Sequence, residues 1–120
     1  MKSETRAGVA YIGLRLVTGR EKSSVYDYEK GKHISIGGDI SDNRVGVYDY
    51  EVRCHISGSG RNGSYNLYHY GVRNHIRLKV NGNRINGYDY DTRNHFSGNV
   101  RGNSISLYDY EQNNYFNYSL

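Results

Sequence analysis

The sequence predicts an all-β fold: an antiparallel meander of five β-hairpins of about 20 residues each, preceded by one N-terminal strand, about eleven strands in total. Three observations predict it. A tyrosine tetrad returns five times at near-constant spacing, turn residues recur between the tetrads, and apolar and polar side chains alternate along what remains. Composition agrees: 120 residues hold 14 Tyr, 15 Gly and 13 Asn but no Pro and no Trp, which favours strands joined by tight turns over helices.

The length is that of one ordinary domain, with core enough to need neither disulfide nor metal. A single cysteine, Cys54, excludes an intramolecular disulfide framework. No run approaches the ~20 apolar residues of a transmembrane helix, so membrane insertion is not expected. The net charge of +4 is a mild basic excess, and a nucleic-acid footprint is thin. The opening MKSETRAGVAYIGLRLVTG lacks a continuous apolar segment, because Gly8, Gly13 and Arg15 break it. It shows no secretory signal, and the chain reads as cytoplasmic unless it is a piece of an exported protein.

Residues 1–6 read as a flexible terminus and 7–120 as one hairpin-repeat domain. Leu14-Arg15-Leu16 stands 12 residues before Tyr26, as Ile76-Arg77-Leu78 stands 12 before Tyr88, so residues 13–19 read as a strand. The tetrads follow: Tyr26-Asp27-Tyr28-Glu29, Tyr48-Asp49-Tyr50-Glu51, Tyr68-His69-Tyr70-Gly71, Tyr88-Asp89-Tyr90-Asp91 and Tyr108-Asp109-Tyr110-Glu111. The first interval is 22 residues and the next three are 20. Behind each tetrad, at fixed offset, stands His33, His55, His75, His95 or Tyr115, then an Ile or Phe.

In the fourth unit Asp91-Thr92-Arg93-Asn94 reads as a four-residue loop, with Asn94 in a left-handed conformation as are Asn74 and Asn114 in theirs. Asn62-Gly63, Gly82-Asn83 and Gly102-Asn103 read as two-residue hairpin loops. The strands left over are Arg84–Tyr90 and His95–Arg101, and Gly31 leaves the first unit's register open to a three-residue loop. The two extra residues of the first interval are expected in a longer turn over 37–43.

That register pairs Tyr90 with His95, so Asp89 faces Phe96, Gly87 faces Gly98 and Ile85 faces Val100. One face then collects Val, Ile, Leu and Phe, and the other collects Tyr, His, Ser and Arg. A one-residue slip would mix the two sets. The aliphatic face must be covered, at about 25 cal/mol per Å² left in water. Closure into a barrel or sandwich, or stacking as a packed oligomer, would cover it. Mid-strand Gly58, Gly87 and Gly98 suggest bending or close approach by an opposing layer.

On the polar face one expected row runs Tyr50, His55, Tyr70, His75, Tyr90, His95, Tyr110, Tyr115, and a second Tyr48, Ser57, Tyr68, Arg77, Tyr88, Ser97, Tyr108. Strands ~4.8 Å apart bring such rings into contact. The first reading is a cross-strand ladder that fixes register. The functional reading is an aromatic platform with polar partners, binding through Tyr48, Tyr50, His55, Tyr68, Tyr70, His75, Arg77, Tyr88, Tyr90 and His95. The histidines lie on alternate strands, ~9.6 Å apart, too far to share one metal. The row Asp27, Asp49, Asp89, Asp109 (His69 in the third unit) reads as rim architecture accepting backbone or Arg hydrogen bonds rather than as catalytic carboxylates. Cys54 reads as a bystander in a loop beside Arg53. No phosphate loop, nucleophile elbow or cofactor motif is present.

Tyr88-x-Tyr90-Asp91-x-x-Asn94-His95-Phe96 resembles the YD-repeat unit, Tyr-x-Tyr-Asp-x-x-Gly-Arg-Leu, which is also about 20 residues long. Those repeats build spiralling β-hairpin shells in large secreted bacterial toxins and cell-surface proteins. The resemblance covers 24–120 in form. Only one unit carries Asp at the fourth tetrad position, Asn replaces the loop Gly, and His replaces Arg. It implies a non-enzymatic β-structural segment and transfers no catalytic residue. The expected function is a non-catalytic structural or binding module acting through its Tyr/His face or strand edges, by self-association or ligand contact. The alternative is a carbohydrate-binding module on the tyrosines.

Overall fold

Alternating strands with an aliphatic side must find a cover for it, and here they find it by closing on themselves around a helix. The computed structural model describes all 120 residues. Helix α1 spans Ser3–Thr18. Ten strands follow: β1 (Ser24–Asp27), β2 (Lys32–Ile40), β3 (Arg44–Asp49), β4 (Cys54–Arg61), β5 (Ser64–His69), β6 (Asn74–Asn81), β7 (Arg84–Asp89), β8 (Asn94–Arg101), β9 (Ser104–Asp109) and β10 (Asn114–Ser119). Each pairs antiparallel with the next, and β10 returns to β1 to close the barrel.

The fold class is all-β and the barrel is self-closed. The N-terminal strand expected over 13–19 is overturned, because those residues are the end of α1 and the link beyond it. Nor do residues 1–6 stand clear of the fold: Met1, Thr5 and Arg6 are buried. Eight strands make a barrel whose side chains just fill it, and ten leave a wider lumen. A helix of ~10 Å diameter fills that space. Residues 5–15 of α1 are buried without a break, including Val9, Tyr11, Ile12 and Leu14 at its centre. Small residues let the wall approach: a Cβ on Gly13 would stand 2.9 Å from Ile85 Cδ1, and one on Gly8 would collide with Ile56. The helix ends where Gly19 takes φ 70° and its N–H bonds the Arg15 carbonyl at 2.9 Å.

The division of faces follows the sequence. Val45, Val47, Ile56, Leu67, Ile76, Leu78, Ile85, Phe96, Ile105 and Leu107 all point inward and are buried. The two-residue loops also fall as expected, closing Arg61↔Ser64, Asn81↔Arg84 and Arg101↔Ser104. Within the tetrad hairpins the pairing differs by two residues from expectation: Tyr88, not Tyr90, pairs with His95, Gly87 with Phe96, and Ile85 with Gly98. The loop is Tyr90–Arg93, and the left-handed residue is Arg93 (φ 61°) rather than Asn94. Arg53, Arg73 and Asn113 do the same, and Gly31 occupies that slot in the first hairpin. A shift of two preserves the faces, which is why the core was legible while the pairing was not.

Residues 37–40 extend β2 instead of forming a long turn. The two added residues move the register, so Ile36 pairs with Asp49, whereas in the next unit Ile56 pairs with His69. Gly58 and Gly87 are crowded by the backbone of neighbouring strands, at Asn66 and Arg77, rather than by an opposing layer.

Candidate functional site

Two sets of polar side chains recur around the barrel, one inside its rim and one outside. The inner set is Asp27, Asp49, His69, Asp89 and Asp109, the last residues of alternate strands, all buried. Their work is local. Asp27, Asp49, Asp89 and Asp109 accept the N–H two residues on at 2.9–3.0 Å, pinning each loop. His69 does this with Nδ1, which accepts from Gly71 N–H at 3.1 Å, so its proton sits on Nε2. The ring surrounds the N-terminal end of α1, where helix dipole and cations favour negative charge. Asp109 takes the Met1 amino group at 2.9 Å and Arg6 Nη1 at 3.1 Å.

Replacing Asp89 by Ala removes its bonds to Asp91 N–H (3.0 Å) and the Thr92 hydroxyl (2.9 Å). The expected loss is about 1–3 kcal/mol by chemical denaturation, with Asp89→Asn retaining part of it. A loss no larger than that of an exposed-site control would contradict the pinning role.

Burial pushes the His69 imidazole below its ordinary value of 6.5, outweighing the carboxylates of Glu4 and Asp49. The native state therefore stays neutral where the unfolded chain takes a proton. This stabilisation is present above the unfolded value and lost as pH falls through the lowered folded one. Burial also pushes Asp49 up, which acts in the opposite sense, so the comparison must be with His69→Asn. Between pH 7 and 5 the wild type should lose stability more steeply than that variant in denaturant titrations, and parallel profiles would refute the assignment.

Cys54 opens β4, buried, with Sγ 3.9 Å from His69 Nδ1. Burial pushes its thiol above the ordinary value.

The outer set is the aromatic face. Tyr48, Tyr68 and Tyr88 are half-buried, and each packs edge-on against two rings: the second tyrosine of its tetrad (4.8–4.9 Å) and the histidine across the hairpin (4.7–4.9 Å). The expected rows are thus rearranged. Tyr50, Tyr70 and Tyr90 lie in the loops, exposed and folded over their neighbours, while His55, His75 and His95 flank the inner tyrosines. His55 also meets Tyr70 of the following unit at 6.5 Å.

One sector gathers more than rings. A shallow groove of about 480 Å³ is lined by Arg77, Lys79, Asn86, Gly87, Tyr88, Tyr90 and His95. It joins four of the sequence-derived binding residues, Arg77, Tyr88, Tyr90 and His95, and leaves Tyr48, Tyr50, His55, Tyr68, Tyr70 and His75 outside it. Lys79 and Asn86 were missed, although Lys79 lies two positions from Arg77 on the same face of β6.

No known protein-family model, curated protein or solved structure matches this chain. Its function must be argued from the site itself.

Proposed function

We propose that the chain is a non-enzymatic β-repeat binding module that works through its Tyr/His-lined outer face. The observation that carries this is a division of labour. The inner carboxylates are buried and turned to loop N–H groups, with the barrel filled by α1, while outward rings such as Tyr50 and Tyr70 stand 62% and 54% exposed. The YD-like form of the unit supports a scaffold of this kind. Closure pairs β1 with β10, which leaves the face rather than a strand edge for contact.

Between self-association and ligand contact, the groove at Tyr88 and Tyr90 favours a ligand, and its Asn amide, Tyr hydroxyls and Arg and Lys N–H donors suit a carbohydrate. A glycan array tests this. The native protein should bind glycans, and Tyr88→Ala should lose the signal while remaining folded by circular dichroism. No glycan signal, together with light scattering that shows a dimer or larger, would replace ligand contact with self-association.

A further inference from the structure

From the groove reading we infer that the ligand is an acidic polysaccharide, laid as an extended chain across β6 to β10; this rests on the carbohydrate reading above. Charge is distributed very unevenly over the barrel. Residues 52–108 hold eight Lys and Arg against two Asp, and the remainder holds eight against ten acids. Of the two, Asp89 is buried in the rim, and Asp91 is bridged to Lys2 at 3.2 Å. None of those eight cations forms an ion pair. Residues 52–108, from β4 to β9, therefore carry a net 8 − 2 = +6, and the rest of the chain carries 8 − 10 = −2.

The hairpin pattern shows which cations the architecture does not need. At the register of Arg77 the other units carry Ser35, Ser57, Ser97 and Asn117, and at that of Lys79 the following unit carries Asn99. Strand β6 alone places two exposed cations there, two residues apart on one face. They open onto the aromatic groove rather than onto acids.

That groove continues. A second, of about 340 Å³, meets it at Asn86, and a third, of about 490 Å³, meets the second at Asn99 and Ser106. Arg84 and Arg101 line the second and third, and Tyr110 and Tyr28 supply rings. Between them the track is floored by Asn86, Ser97, Asn99, Ser106 and Asn117, amides and hydroxyls that both donate and accept, as sugar hydroxyls require. Single-stranded nucleic acid would share the charge but also needs parallel ring faces for successive bases. Here adjacent rings stand at 73° and 80° to one another, so an edge covers part of each partner.

Affinity electrophoresis and titration calorimetry of the full chain would use polygalacturonate, dextran sulfate, neutral dextran and a poly(dT) strand. We expect binding to the two acidic polymers, weakened by salt, with little to neutral dextran or poly(dT). Arg77→Ser with Lys79→Asn installs residues that neighbouring units already carry, and should cut the affinity about tenfold at low salt. Arg44→Ser, outside the track, should leave it unchanged. Tighter binding of poly(dT), or acidic-polymer binding indifferent to the double substitution, overturns the inference. Equal binding of neutral dextran overturns it while sparing the carbohydrate reading, and silence toward every glycan removes both.

Discussion

Tyr11→Ala should destabilise the protein by about 3–5 kcal/mol, the cost of deleting a large aromatic from a closed core. Tyr11 is fully buried in mid-helix. Its hydroxyl donates to the Lys22 carbonyl and accepts from Arg15 Nη1 at 3.0 Å. Arg15 in turn reaches the Gly38 carbonyl at 2.7 Å and the Arg20 carbonyl at 3.3 Å. The loss of Tyr11 would thus open a void beside the helix and loosen the cation that ties the helix's C-terminal turn to β2. Tyr11→Phe keeps the ring and should cost about 1–3 kcal/mol, the share of the unsatisfied polar groups. Urea titration with an unchanged slope would show both, and a loss below about 1 kcal/mol for Tyr11→Ala would place that ring outside the core.

Arg6→Met should cost a comparable amount, about 3–5 kcal/mol, for a different reason. The guanidinium lies 3.8 Å over the Phe116 ring, with Nη1 2.6 Å from the Met1 carbonyl and 3.1 Å from Asp109. Methionine fills much of the volume but removes a charge facing a buried carboxylate. Asp109 keeps the Met1 amino group in that variant, so adding Asp109→Asn should cost less than Asp109→Asn does in the wild type, where the Arg6 contact is lost with it. Additive effects in that double-mutant cycle would mean the two groups do not interact.

The sequence told the wall from the filling unequally. Side-chain alternation assigns Ile76, Leu78, Ile85 and Phe96 to one face in any register of even offset, so the core of the barrel was readable without correct pairing. The loop geometry depended on one residue in the first unit: Gly31, at φ 65°, marks the left-handed slot that Arg53, Arg73 and Arg93 fill elsewhere without a glycine to show it. Helix α1 gave no periodic signal because it is enclosed on every side, and an amphipathic stripe arises only where one face meets water. Its Gly8 and Gly13 read as interruptions of an apolar run, when they are places where Ile56 and Ile85 of the wall come close. Of the candidate site, the rings were visible as a recurrent pattern. The basic track was not, because it is a departure from the pattern, at Arg77 and Lys79, and becomes a groove only when β6 to β10 are folded side by side.

Methyl-selective NMR tests the central claim, that the first helix fills a closed ten-stranded barrel. The Cδ1 methyls of Ile56 and Ile85 should show strong nuclear Overhauser contacts to the α-protons of Gly8 and Gly13 respectively, alongside helical shifts over residues 3–18. Extended shifts over 13–19, or isoleucine methyls that see only other strand residues, would contradict it.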